Sequence, residues 1–553
     1  MKRISCIRKV IFSLFFLLVF HAAVWSQVRF DANFESGSLG NVERLDSVCV
    51  VVSPGDTVLH LSYRIDGRFD PANPIDTALA PSANWYYFRM TGIGGKQIYL
   101  TTPDFGVAGY SYSYDGVHWE HLPLAEAPRH RLDKRFDRDT VYLALYNPYT
   151  YSYLQERLRT WCERPNVTLD TIGFSHEGRP LQLLHITDPS VPESQKARIW
   201  IHSRIHPSET PASFLVDGLV EYLTGDTPEG RALRRQIDAY VLPFANPDGV
   251  VNGLSRSNAR GVNQEINFGR SDDSTVVEVR AIKRMFEKLT AERPFDIMLN
   301  SHSQHAESAT FWMHTGSTTT PAYFRKLWTF TGLTSSMNPC IRPLDMNFSR
   351  MASRYAEGWF WDHAGESTVA LTIETPYNCY SFDRDGLWTD DDNLRYFGQR
   401  TMQAIAEYLG LSLPGRYLVE TPARMKAGWE PFGDDARSYL GDGAWQAVRD
   451  GASVTYRLDQ LTAGRYDVYQ FVAGDCIEPV GSIALKDPET GEWIDPGVHG
   501  WVYLDTVDHP RDGRFRYTRK NLPAGTTADA LLLLRRPAMR GMATATQEAG
   551  GPR

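Results

Sequence analysis

Cysteine is scarce in this chain: six in 553 residues, widely spaced, with no Cys-x-x-Cys pair. That excludes a thiolate zinc ribbon and gives no disulfide framework. Positive charge is not in excess either. The formal net charge is -8 and the isoelectric point is about 6.0, so there is no electrostatic footprint for nucleic acid. Beyond residue 24 no apolar run is long enough to span a bilayer. No internal repeat and no low-complexity linker is visible, which excludes a solenoid or a tethered array.

What is present is enough for several cores. Hydrophobic residues make up 42% of a chain too long for one domain. Residues 1–26 read as a secretory signal. Lys2, Arg3, Arg8 and Lys9 precede an almost wholly apolar stretch from Val10 to Val24, and Val24 and Ser26 flank a cut before Gln27. The expectation is a secreted or periplasmic protein with no membrane anchor after removal of that segment. Residues 27–150 read as all-β, with short aromatic strands between turn signals such as Asp66-Gly67 and Asp115-Gly116. Residues 151–412 alternate strands expected at 197–205, 240–245, 296–301 and 369–374 with helices at 211–223, 275–289, 356–363 and 391–409. This is α/β, with a mixed sheet flanked by helices. Residues 413–553 return to β, with strands at 452–458, 465–471 and 530–534 and a frayed tail from 541.

Ligand sites in α/β sheets form at the carboxyl ends of strands. His206-Pro-Ser-Glu209 stands at one such end, between a strand and an amphipathic helix. An imidazole and a carboxylate three apart at that turn can face one metal ion. By itself the pattern is as well explained by a surface turn with a helix-capping Glu. His302, after the strand at 296–301, supplies a third donor, and His305 is the alternative. Three protein ligands leave one position open, the arrangement of catalytic zinc. Glu374 closes an apolar run, where burial raises a carboxyl pKa and suits it to general base work. Arg256 lies in the loop after Asn246-Pro-Asp-Gly249, and its guanidinium is a candidate partner for an oxyanion.

The chain resembles the zinc carboxypeptidase (metallocarboxypeptidase) family, and within it the cytosolic carboxypeptidase branch, which trims glutamate from protein tails. His206-Pro-Ser-Glu209, Asn246-Pro-Asp-Gly249 and Thr372-Ile-Glu374-Thr-Pro-Tyr377 carry the likeness in the α/β part. Phe34-Glu-Ser-Gly37, Trp85-Tyr-Tyr-Phe88-Arg89 and Asn147-Pro-Tyr-Thr-Tyr151 carry it in the N-terminal β-region. The likeness covers about residues 30–412 and leaves out the C-terminal β-region. It implies one Zn²⁺ held by His206, Glu209 and His302. Glu374 would be the base and Arg256 would share the oxyanion. The substrate would be a peptide or peptide-like molecule. It also implies an N-terminal β-sandwich ahead of the catalytic fold. The C-terminal region is a candidate for glycan or surface contact by fold analogy alone.

One segment departs from the family. The family reads a substrate's terminal carboxylate with an Asn-Arg pair in a segment like Gly-x-Asp-x-Asn-Arg-Asn-Trp. Here it is Gly261-Val-Asn263-Gln-Glu265-Ile266-Asn-Phe268. Glu265 replaces the Asn, Ile266 replaces the Arg, and Asn263 stands where the family has an Asp that orients the first zinc histidine. A bidentate guanidinium contact is lost and an anion put in its place. Arg260, Arg270, Arg350 or Arg354 would have to substitute if a free carboxylate is still read. Glu357 aligns near the position that sets side-chain preference, so with Glu265 it favours a neutral or cationic group over an acidic tail. The family's mobile tyrosine has no assigned counterpart here; Tyr355 and Tyr377 are the two candidates. The expected function is a zinc-dependent hydrolase that cleaves a peptide or amide bond with altered carboxylate recognition. The alternatives are an amidohydrolase or peptidase acting on substrates without that carboxylate, and a non-catalytic ligand-binding protein on the same fold.

Overall fold

The computed structural model of the chain describes residues 27–536 except 55, 104–109, 123–125, 129, 306–308, 317, 339–345, 350–353, 378–389, 433–438, 440–442 and 472–500. The expected leader at 1–26, the tail from 541, Arg350, Cys340, Cys379 and Cys476 lie outside the described residues. Cys49 and Cys162 are free thiols. No described helix is long and apolar enough to cross a membrane.

Short apolar runs separated by amphipathic helices favour a sheet covered on both faces. The α/β region builds an eight-stranded mixed sheet. Its order is Val167–Phe174, Pro180–Ile186, Ile237–Leu242, Ala197–Ser203, Ile297–Gln304, Val369–Pro376, Thr310–His314 and Met346–Ser349. The central strands run parallel from Ile237–Leu242 through Val369–Pro376, and Thr310–His314 runs antiparallel to the last of these. Side chains alternate across the sheet. Ile199, Ile201, Leu299, Leu371 and Ile373 face one core with helices Thr210–Thr224 and Asp391–Tyr408. Trp200, Met298 and Ala370 face the other, against Phe286 of Val277–Glu292 and Trp359 of Ala356–Ala364. Truncating one such buried Leu to Ala costs about 2–5 kcal/mol.

The strand expected at 296–301 extends to Gln304. Ser301-His302-Ser303-Gln304 is polar and reads as a loop. It stays in the sheet because His302, Ser303 and Gln304 pair in register with Glu374, Thr375 and Pro376. His302 is therefore inside a strand rather than just past one.

Two β-rich regions flank this sheet. The N-terminal one has a five-stranded and a four-stranded sheet that share a core, with Tyr63, Phe88, Ile98 and Leu143 among its buried members. The C-terminal one has sheets of four, three and three strands around Val454, Tyr466, Val468 and Leu533.

The N-terminal region meets the loops that follow Ile237–Leu242. At Gly253 (φ +61°) an added Cβ would lie 2.4 Å from the carbonyl oxygen of Gly37, and at Gly261 (φ +79°) 2.4 Å from that of Ala72. Both sites require left-handed backbone and a bare α-carbon, so only glycine fits there.

Candidate metal centre and active-site cavity

The turn that carries the first two donors is built by Arg204. The chain leaves Ala197–Ser203 through a left-handed conformation at Arg204 (φ 57°). The buried Arg204 guanidinium donates to the carbonyls of Pro207 (2.9 Å) and Tyr149 (3.1 Å) and to Oγ of Ser213 (3.0 Å). Burial draws its pKa down to about 9. Glu209 then stands at the start of Thr210–Thr224, but its side chain makes no capping hydrogen bond. It turns inward instead, and Oε1 lies 2.9 Å from Nδ1 of His206 and Oε2 2.7 Å from Nδ1 of His302. The Ser303 amide also donates to Oε2 at 3.1 Å.

Donor atoms of His206, Glu209 and His302 all lie within 4.8 Å of one another, and all three residues are buried. Two imidazole nitrogens and a carboxylate oxygen at this spacing are a zinc donor set with an open position. The donor chemistry fits that ion. His305 is not part of the group; it lines the same cavity, its ring 5.0 Å from that of Tyr377.

Each imidazole uses its other nitrogen. Nε2 of His206 lies 3.2 Å from Oδ1 of Asn263, and Nε2 of His302 lies 3.1 Å from Oε2 of Glu265. The Asn263 amide is fixed in that sense because Oδ1 also accepts from the Glu265 backbone N–H at 3.1 Å. Oε1 of Glu265 accepts from Nδ2 of Asn300 at 3.0 Å. Asn300 Nδ2 also lies 3.4 Å from Oε1 of Glu357, which accepts from Thr372 Oγ1 as well.

Burial opposes protonation of His302, but the Glu209 and Glu265 carboxylates outweigh it and hold its pKa well above the ordinary value. His206 is pushed down, by burial first and the Arg256 charge second. Burial, then the Glu265 charge, raises Glu357 to about 7.

Strand register puts the rest on one face. Asn300 and His302, Thr372 and Glu374, and Thr310, Trp312 and His314 alternate toward the same side of three adjacent strands. A cavity of about 410 Å³ opens there, the size of a small-molecule or residue-sized site. Glu374 Oε2 is buried in its wall with no hydrogen-bond partner. Burial, then the Glu209 charge, raises its carboxyl to about 8. A divalent cation at the three donors would draw that value back toward neutrality.

Arg256 lines the cavity and is the only arginine to do so among the described residues; Glu265, Glu357, Tyr355 and Tyr377 line it too. Ile266 does not. Arg260 turns to His176 and Arg354 to the Tyr355 hydroxyl, and neither they nor Arg270 line the cavity.

Sequence reasoning missed the N-terminal contribution. Asp70 is buried, and its carboxylate accepts three successive backbone N–H bonds, from Ser255 (2.7 Å), Arg256 (2.7 Å) and Ser257 (2.8 Å). The Asn84 backbone N–H donates to Ser255 Oγ at 2.8 Å, and Asn84 reaches the cavity wall. Arg68-Phe-Asp70-Pro-Ala-Asn-Pro reads as a proline-punctuated turn, and nothing local shows what the acid holds. His314 was also missed. It is buried in the cavity wall with neither ring nitrogen paired, and burial lowers its pKa to about 4.

Comparison with known proteins agrees with this geometry. Residues 154–367 match the family described as zinc carboxypeptidase. Cytosolic carboxypeptidase 6 of Mus musculus is 30% identical over 262 residues, covering 42% of this chain and 45% of the relative. Cytosolic carboxypeptidase 2 of Danio rerio is 31% identical over 187 residues, covering 32% and 26%. The chain thus spans less than half the length of these relatives. Among solved structures, a metallo-carboxypeptidase from Burkholderia cenocepacia matches with a TM-score of 0.57 at 21% identity, covering 69% of this chain and 99% of that one. One from Pseudomonas aeruginosa matches with a TM-score of 0.55 at 19% identity, covering 69% and 99%. At these identities the structures speak for the fold.

The relatives correct one expectation. They are named as cytosolic carboxypeptidases, which overturns the secreted or periplasmic location read from residues 1–26. A basic cluster beside an apolar run reports local charge and hydrophobicity, and those two properties do not by themselves specify export.

Proposed function

We propose that this chain, whose residues 154–367 match the zinc carboxypeptidase family, is a zinc-dependent metallopeptidase whose substrate offers no free C-terminal carboxylate at the Glu265–Ile266 position. One observation carries the hydrolytic reading: the His206, Glu209 and His302 donors share a cavity with the buried, unpartnered Glu374 Oε2. Zinc at those donors supplies a Lewis acid that polarises a carbonyl and acidifies water. Glu374 takes a proton from the attacking water and returns it to the leaving nitrogen. Arg256, across the cavity, meets the oxyanion that develops as the carbonyl carbon becomes tetrahedral. The cavity walls limit bulk water and strengthen both effects.

The carboxylate reading is supported by what faces the cavity. Glu265 occupies a position where an amide would serve a carboxylate, Ile266 does not line the cavity, and no arginine but Arg256 does among the described residues. Glu357, which accepts from Thr372 in the cavity wall, is the group that favours a neutral or cationic side chain. Peptide libraries with free and amidated C-termini, offered to the zinc-loaded chain and to Glu374→Gln, test the whole reading. Amidated or branched peptides are expected to be cleaved at least as fast as free acids. Glu374→Gln is expected to lower kcat by about 10²–10⁴-fold. A strict preference for free acids overturns the carboxylate reading. Wild-type turnover by Glu374→Gln removes that residue from the mechanism.

A further inference from the structure

We infer that Glu265 is a positioning residue of the metal centre: through Nε2 of His302 it sets that ligand's tautomer and orientation. The carboxylate support of the site thereby rests on His302 and not on His206. A zinc-binding imidazole presents one nitrogen to the ion, and the partner of the other nitrogen decides which one carries the proton. Both histidines present Nδ1 toward Glu209. With zinc taking the Nδ1 side, both would carry the proton on Nε2, and both Nε2 partners are oxygens. They differ in charge. Asn263 offers a neutral amide oxygen at 3.2 Å, and Glu265 offers a carboxylate at 3.1 Å. A charge-assisted bond is about twice as strong as a neutral one, so His302 is the more firmly oriented and the more basic ligand.

The two partners are built as one unit. They stand two residues apart where Gln264–Asn267 begins, and the Asn263 side chain accepts the Glu265 backbone N–H. Asn300 holds the second oxygen of Glu265, so the carboxylate cannot swing toward solvent. The family pattern at these two positions is an acid followed by an amide; here it is an amide followed by an acid. In this chain the one carboxylate of the pair supports His302 and the amide supports His206. With both oxygens engaged, Glu265 is part of the metal centre's frame.

The inference rests on zinc at His206, Glu209 and His302 and on no statement about substrate. Its test is zinc affinity, measured on the full chain by competition with a chelator. Glu265→Asn is expected to weaken zinc binding by about 10–100-fold. Asn263→Ala is expected to weaken it less. The exchange variant Asn263→Asp/Glu265→Asn returns the acid to His206 and is expected to recover most of the loss, a rescue that a general packing role would not give. Zinc affinity of Glu265→Asn within twofold of wild type overturns the inference, as does an exchange variant no tighter than Glu265→Asn alone. If Glu265→Asn does not fold, the ¹⁵N-histidine spectrum of the zinc-loaded wild type decides. A protected, far-downfield Nε2 proton on His302 is expected, and its absence overturns the inference. Peptides that resist cleavage would count against the proposed function and leave this result unchanged.

Discussion

The two β-rich regions attach to the catalytic sheet by different chemistry, and the difference separates a part of the site from a brace. The N-terminal region reaches the cavity. It grips the backbone of the segment that carries Arg256 through Asp70, Arg68 and Ser36, and the Ser255 hydroxyl through the Asn84 N–H. The C-terminal region contributes no cavity residue among those described. It is bolted to the helices behind the sheet. Buried Asp467 accepts from Arg400 and Tyr396 of Asp391–Tyr408, from Thr506 at 2.6 Å and from Arg536 at 2.8 Å. The Tyr469 hydroxyl donates to the Met337 carbonyl at 2.7 Å, and Arg535 pairs with Glu229 at 2.6 Å. Backbone contacts that end at a reactive loop tune geometry. A desolvated ion cluster on a helix face holds mass in place.

The largest expected effect breaks the brace. Asp467→Asn leaves Arg400, fully buried, without its counter-charge, and losing one member of a buried pair costs about 3–5 kcal/mol. Denaturant unfolding should show that loss, while kcat/KM per folded molecule stays at the wild-type value. A tenfold fall in kcat/KM would show that the C-terminal region also shapes the site. The pH dependence has a fixed sign. Burial raises the Asp467 pKa, but Arg400 and Arg536 outweigh it, and the net value is lowered. Its stabilisation is therefore full above the ordinary carboxylate pKa and is lost as the pH falls through the lowered one.

The next effect falls on the site. Asp70→Asn removes the charge that three successive N–H groups share. Losing a hydrogen bond to a charged group costs about 1.5–3 kcal/mol, so a displaced Arg256 should lower kcat by about 30-fold. Zinc affinity should not change, because Asp70 touches no ligand. Arg256→Ala should show a similar loss, and the double variant should be no worse than Arg256→Ala alone. Additive losses would mean that Asp70 acts elsewhere.

Much of the centre was legible because its residues report locally. His206 and Glu209 share one turn, and Glu374 closes a five-residue apolar run that became Val369–Pro376. The bounds of the helices at 356–363 and 391–409 fell within a residue of Ala356–Ala364 and Asp391–Tyr408 because apolar spacing marks both, and an N-terminal Asp marks the second. What stayed hidden depends on partners distant in the chain. Asp70 and Arg256 are 186 residues apart. Glu265 reads as a substrate-facing anion until His302, 37 residues on, is seen beside it. Asp467 carries a faint signal, an acid on the strand face it shares with Tyr469 and Phe471, but not the identity of the arginine that meets it. Strand pairing, which keeps His302 in the sheet, is likewise a property of two segments and not of one.

The smallest effect sharpens the comparison most finely. Ser255 is tied in three directions. Its N–H goes to Asp70, its Oγ accepts from the Asn84 backbone, and its carbonyl accepts from Oγ of Ser208 at 2.7 Å and the Ser208 N–H at 3.3 Å. Ser208 lies between His206 and Glu209, so Ser255 links the N-terminal region to the turn that carries two zinc donors. Ser255→Ala cuts only the Oγ contact and leaves the backbone bonds in place. A single neutral hydrogen bond is worth about 1 kcal/mol, so kcat should fall by about fivefold with zinc affinity unchanged. If the link instead steadies the donor turn, zinc affinity will fall together with kcat. That outcome would extend the reach of the N-terminal region from the Arg256 loop to the metal, and would place Asn84 with Asp70 among the residues that position the site.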